Sequence, residues 1–138
     1  MNNRIKFRQY RLGNEWFDSQ HQELFTLIDY LQESIDEKDQ EKYNVIQKMF
    51  FDKFDKHCKR EESLMNITRF AGAPDHIAHH QLSYYRMETL SQPRDVNFST
   101  NDAILIGGYV RDHIDHGDRE FSDFVINSQL SDRMEDYL

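Results

Sequence analysis

His57 and Glu61 stand four residues apart in the stretch His-Cys-Lys-Arg-Glu-Glu, residues 57–62. On an α-helix that spacing puts both side chains on one face, about one turn apart. An apolar stripe runs into the pair: Ile46, Phe50 and Phe54 precede it, and Leu64 and Met65 follow. A histidine and a carboxylate therefore share the face that should be buried. Burying an unpaired carboxylate is costly, so it needs a hydrogen-bonded partner or a metal. The chain then repeats the device. His76 and His80 are again four apart, and His21 and a His113/Asp118 pair flank them.

These groups must be positioned by helices, because only five Gly and two Pro interrupt 138 residues. Asp18 or Ser19 can cap a first helix. Its apolar positions Leu24, Phe25, Ile28, Leu31 and Ile35 recur at threes and fours, and His21 falls on the same stripe. The pattern fades at 36–39. A second helix is expected from Gln40 to about Asn66. Residues 67–75 read as a loop marked by Gly72 and Pro74. A third helix is expected from about Asp75 to Ser91, with His76, His80, Tyr84 and Met87 on one face. Pro93 breaks the next connection. Ser99 or Thr100 caps a fourth helix to about Gln129, whose face reads Leu105, Tyr109, Val110, His113, Phe121, Phe124 and Val125. Gly107-Gly108 within it suggests close helix approach or room for a small ligand. Residues 1–16 lack helical periodicity, and Phe7, Tyr10, Leu12 and Trp16 could lie across the helices as an extended arm, with Gly13-Asn14 as a turn. The last residues should fray. Short connections join the helices, so the expected fold is all-α. It is an up-down-up-down four-helix bundle over 17–129, in a single domain spanning 1–138.

The composition sets limits on function. Twenty-five acids against seventeen bases give a net charge of −8, which argues against a surface that tracks nucleic-acid phosphates. One cysteine excludes an internal disulfide and fits a reducing compartment. No apolar run approaches the roughly 20 residues of a membrane span. The N-terminus has no apolar core of the kind found in signal peptides, so a cytoplasmic location is the default.

A plain amphipathic core accounts for every apolar position named above. It does not account for five histidines and two carboxylates turned inward. Imidazoles desolvated together need many partners or a shared cation. Imidazole suits iron, copper, nickel and zinc. Seven groups exceed the four ligands of a structural zinc and suit two bridged six-coordinate metals. Two bridging carboxylates and one bridging hydroxide or oxide leave six terminal positions. Five histidines fill all but one, which leaves room for one small exogenous ligand.

The ordered set is similar to the hemerythrin family: an isolated His, then HxxxE, HxxxH and HxxxxD. Here these are His21, His57-Cys-Lys-Arg-Glu61, His76-Ile-Ala-His79-His80 and His113-Ile-Asp-His-Gly-Asp118. The stretch Phe17-Asp18-Ser19-Gln20-His21-Gln22-Glu23-Leu24-Phe25 resembles the family's D-x-Q-H-x-x-L-F opening, and Glu61-Glu62-Ser63-Leu64-Met65 its EE-x-L-M. The match covers roughly residues 10–128. The resemblance implies two iron ions in an oxo- or hydroxo-bridged, non-haem centre that binds dioxygen reversibly, with no net reaction catalysed. His76, His80 and His113 would hold one iron. His21 and His57 would hold the other, which keeps the open position, and Glu61 and Asp118 would bridge. Phe25, Cys58, Tyr109 and Ile114 would line the ligand pocket.

Asp118 rests on the resemblance alone. Five residues place it about 140° from His113 around an ideal α-helix, and spacing by itself favours His116 or Gly117. Glu62, His79 and His116 are expected outside the ligand set. The chain departs from the family at Cys58 (usually Phe or Tyr), Tyr109 (usually Trp) and Asp115 (often apolar). Repacking by Phe50, Phe51 or Phe54 would absorb these changes. A looser, more polar pocket would instead favour redox chemistry over storage. The roles implied are an oxygen carrier, a store or a delivery partner for an oxygen-using enzyme. The alternative is a module that senses oxygen, redox state or nitric oxide and acts on a signalling partner, although no output domain lies within these residues. A di-iron oxidase or peroxidase fits less well, because such sites are rich in Glu. A metal-free helical interaction module is the remaining reading.

Overall fold

A computed structural model describes residues 11–90 and 100–128. Expectations for Phe7, Tyr10, Pro93 and the fraying tail lie outside the described residues. Every regular element among the described residues is helical: α1 (Glu15–Asp36), α2 (Gln40–Thr68), α3 (Ala73–Leu90), α4 (Thr100–His113), a π-helical turn (Ile114–Asp118) and α5 (Arg119–Asn127). His113, Asp118 and Arg119 keep right-handed helical dihedrals, so the chain stays helical from α4 through the π-turn into α5. α1 packs on α2 and α4, and α3 packs on the same two. No helix among the described residues is long and apolar enough to cross a membrane.

α1 begins earlier than Asp18. Asn14 is its cap and accepts from Trp16 N–H at 2.9 Å, so residues 15 and 16 belong to the helix, not to the arm. Asp18 instead turns back to accept from the backbone N–H groups of Leu12 (2.7 Å) and Gly13 (3.1 Å). It thereby ties the entering chain to the helix, and Gly13 makes the bend with φ +85°. α2 starts as expected at Gln40, capped by Asp39, which accepts from Lys42 N–H at 3.0 Å. It runs two residues past Asn66 and stops at Arg69, whose left-handed backbone (φ 56°) closes the end. α3 then starts at Ala73, so the expected 67–75 loop shrinks to residues 69–72. Pro74 fits in the first turn of α3, where its missing N–H would have no helical partner anyway.

The packed faces follow helical periodicity. Leu24, Phe25, Ile28, Leu31 and Ile35 are buried on α1, and Phe50, Phe54, Leu64 and Met65 on α2. On α4 the expected face holds at Val110 and His113, but Leu105 is exposed and Ala103 and Ile106 are buried instead. The buried apolar side chains form two clusters. The larger joins the α1–α2 side chains up to Cys58 with Met87, Ala103, Ile106, Val110 and Ile114. The smaller gathers Phe17, Leu64, Met65, Phe70, Phe121 and Val125. Among the described residues Gly108 is not at a close approach, since a methyl group there would meet only Arg111 Nη2 at 3.8 Å.

Candidate metal centre

Between these clusters lies a layer of buried polar side chains. α1 contributes His21, α2 His57 and Glu61, α3 His76 and His80, α4 His113, and the π-turn Asp118. His21, Glu61, His113 and Asp118 are fully excluded from solvent, and the other three are at most 4% exposed. The seven fall into two overlapping groups whose ligand atoms lie within 4.8 Å of one another. One holds Glu61, His76, His80, His113 and Asp118, the other His21, His57, His113 and Asp118. Asp118 and His113 are common to both. Glu61 belongs to the first and touches His57 of the second, Oε1 to Nε2, at 2.9 Å.

The π-turn brings Asp118 into the layer. Arg119 N–H bonds to the Ile114 carbonyl, five residues back. This wider turn returns the chain to the same face after five residues instead of about four. His113 Nε2 and Asp118 Oδ2 consequently meet at 2.8 Å, where α-helical spacing would have turned Asp118 aside. The neighbouring Gly117 makes room for α3: a methyl group there would lie 2.9 Å from Cε1, 3.0 Å from Nδ1 and 3.1 Å from Nε2 of His76.

The same nitrogen of each histidine faces the carboxylates. His21 Nε2 lies 2.6 Å from Asp118 Oδ2, and His57 Nε2 lies 3.2 Å from that oxygen. His76 Nε2 is 3.0 Å from Asp118 Oδ1, and His80 Nε2 is 3.2 Å from Glu61 Oε1. His113 Nε2 has three neighbours: Asp118 Oδ2 at 2.8 Å, His57 Nε2 at 2.9 Å and Glu61 Oε1 at 3.0 Å. One N–H cannot serve three acceptors. Moreover, His76 Nε2, His80 Nε2, Glu61 Oε2 and Asp118 Oδ1 make no directed hydrogen bond despite full burial. Buried polar atoms are rarely left so. Lone pairs that crowd a common space without bonding to one another fit a shared cation, and this buried His/Glu/Asp cluster could hold a metal ion.

Electrostatics point the same way. Burial and the Asp118 charge push Glu61 up, yet His57 and His113 hold its carboxyl well below the usual range. Burial likewise opposes ionisation of Asp118, and His113 leads the contacts that keep it ionised. Burial pushes His57 and His76 down, and the two carboxylates more than reverse this, up to about 10. Without metal, then, imidazolium protons must supply the positive charge. Burial wins at His21 and His80, which are lowered.

Other sequence candidates stand aside. His116 is exposed, and half-buried His79 lies outside both ligand groups. Glu62 is partly buried, with Oε2 3.9 Å from His80 Nδ1. Phe25, Cys58 and Ile114 are buried in the larger apolar cluster, and Tyr109 packs against it with Arg86 over its ring at 5.7 Å. Asp115 is exposed and pairs with Arg119 at 3.2 Å, so it adds no polarity to the interior. Sequence reasoning assigned no role to Gln20, whose Oε1 lies 2.9 Å from His57 Nδ1. Its place beside His21, as the Gln of the D-x-Q-H opening, was the available signal. The chain matches no protein-family model, no curated protein and no solved structure.

Proposed function

We propose that this chain is a hemerythrin-like protein that binds dioxygen reversibly at a non-haem di-iron centre within an up-down-up-down four-helix bundle. The observation that carries the reading is the convergence of five imidazole nitrogens and two carboxylates between two apolar clusters. These residues stand in the order His, HxxxE, HxxxH, HxxxxD. His76, His80 and His113 would hold one iron and His21 and His57 the other, with Glu61 and Asp118 between them. Two irons held by these residues would supply the two electrons that reversible dioxygen binding needs.

The chain's own residues account for the rest. Five neutral imidazoles and two carboxylates bring only two negative charges, which disfavours high-valent iron and suits reversible binding over substrate oxidation. Leu64, Phe121 and Met65 lie in the apolar cluster on one side of the layer, and Phe54, Ile114 and Cys58 in the cluster on the other. They exclude the water and protons that would convert carriage into irreversible oxidation. Carriage, storage or delivery to an oxygen-using enzyme is the role this arrangement suits.

The test starts from protein loaded with Fe(II) without air. Iron per chain is counted, air is admitted, the visible spectrum is recorded, and oxygen is then stripped. Two irons and a visible band that appears in air and vanishes on deoxygenation are expected. Two irons with irreversible oxidation would shift the reading to redox sensing or enzymatic work. Absence of bound metal would leave a plain helical module.

A further inference from the structure

Metal-binding histidines almost always donate their outer N–H to a partner that fixes the ring and its tautomer. Four of the five inward histidines lack one: the Nδ1 atoms of His21, His76, His80 and His113 are buried without a hydrogen bond. His57 is different, with Nδ1 2.9 Å from Gln20 Oε1. The orientation of that amide follows from its other end. Gln20 Nε2 donates to the Trp16 carbonyl at 2.8 Å. A carbonyl only accepts, so the amine end of Gln20 must face it. The end facing His57 is therefore an oxygen, which also only accepts, and His57 must present a proton at Nδ1. In a neutral imidazole the other nitrogen is then bare. That nitrogen is Nε2, which faces Glu61 at 2.9 Å and Asp118 at 3.2 Å.

We propose that Gln20 is a positioning residue of the metal centre: anchored on the Trp16 carbonyl, it fixes the Nδ1–H tautomer of His57 and turns the Nε2 lone pair towards the metal. This rests on the di-iron reading above. It gives α1 a second task, because consecutive residues act on two ligands. His21 is a ligand itself, and Gln20 orients a ligand on α2. It also sets His57 apart from the other four histidines, whose Nδ1 atoms make no hydrogen bond.

The test uses the full chain as wild type, Gln20→Leu and Gln20→Glu. Fe(II) affinity is measured without air by competition with a chelator, and zinc serves as a diamagnetic probe for ¹⁵N NMR of His57. Gln20→Leu fills similar space without accepting a hydrogen bond and is expected to weaken binding about 10–100-fold. Gln20→Glu can accept the same bond and is expected to restore it. In zinc-loaded wild type the His57 proton should sit on Nδ1 and exchange slowly. Equal affinity in wild type and Gln20→Leu, or a His57 proton on Nε2, would overturn the inference and leave the metal centre intact. Should Gln20→Leu fail to fold, the wild-type tautomer and Gln20→Glu still decide. A wild type that takes up neither zinc nor Fe(II) would overturn the di-iron reading and this inference with it.

Discussion

Gly117→Ala separates the proposed metal centre from the fold that holds it. The added methyl would lie 2.9 Å from His76 Cε1, under the 3.4 Å at which ordinary contact begins. The ring must retreat by about 0.5 Å, whereas ligand distances tolerate only about 0.2 Å. The π-turn backbone cannot yield instead without moving Asp118, the next residue and itself a member of the cluster. One histidine should therefore leave the metal. The expected loss of affinity is at least about 10–100-fold, or about 1.4–2.7 kcal/mol. Metal-free stability should change far less, because replacing a helical Gly with Ala favours the helix by about 0.5–1 kcal/mol and offsets part of the crowding. Gly108→Ala is the control: its methyl meets only Arg111 Nη2 at 3.8 Å, so it should stabilise slightly and leave metal binding alone. Chelator competition and thermal melts of the two metal-free variants measure both effects. If Gly117→Ala bound two metals with wild-type affinity, the argument that this glycine seats His76 as a ligand would be refuted.

Further outcomes follow from the same geometry. Glu61→Ala should lose bound iron, while Glu62→Ala, His79→Ala and His116→Ala keep it; parity between the two Glu variants in an iron assay would sink the ligand assignment. Metal-free stability should fall as pH rises from 6.5 to about 10, because His57 and His76 are raised to about 10 in the fold and lose their favourable protons across that window. Metal affinity should rise over the same window, since the ions displace those protons. Melts across pH with chelator, beside metal titrations, would show the opposite slopes, and parallel slopes would contradict the proton-for-metal exchange. The Cys58 thiol is pushed up by burial and by the Glu61 charge, so iodoacetamide should label it only on unfolding; rapid labelling of native protein would show an open pocket.

Much of this was readable from side-chain spacing. The stripes of α1 and α2 recur at threes and fours, and the pairs His57/Glu61 and His76/His80 sit at the helical repeat, so periodicity alone turns them inward. What could not be read depends on backbone choices or distant partners. Asp18 looks like a cap, but only the path of Leu12 and Gly13 reveals that it clamps the entering chain. Ile104, Leu105 and Ile106 are consecutive apolar residues, so their pattern leaves the phase of α4 open, and packing selects Ile106. The π-turn leaves no periodic trace at all. It shows only as a five-residue interval that an α-helix cannot close, the one place where the family resemblance and the geometry of a regular helix disagreed.

The polar layer lies between two apolar clusters of unequal size, and this bears on how the molecule comes apart. The smaller cluster joins Phe70, Phe121 and Val125 to Phe17 of α1 and Leu64 and Met65 of α2, across the layer from the turn between α1 and α2. When ions cross-link the layer, all the helices are tied at mid-height and both halves should open together. Without them, imidazolium–carboxylate contacts and the Gln20–His57 hydrogen bond link the helices at that height, and the half with fewer buried side chains has less to hold it. Amide protons of α5 should then exchange through partial openings that those beside the α1–α2 turn, packed in the larger cluster, do not share. The ions would thus decide whether the molecule has one cooperative unit or two.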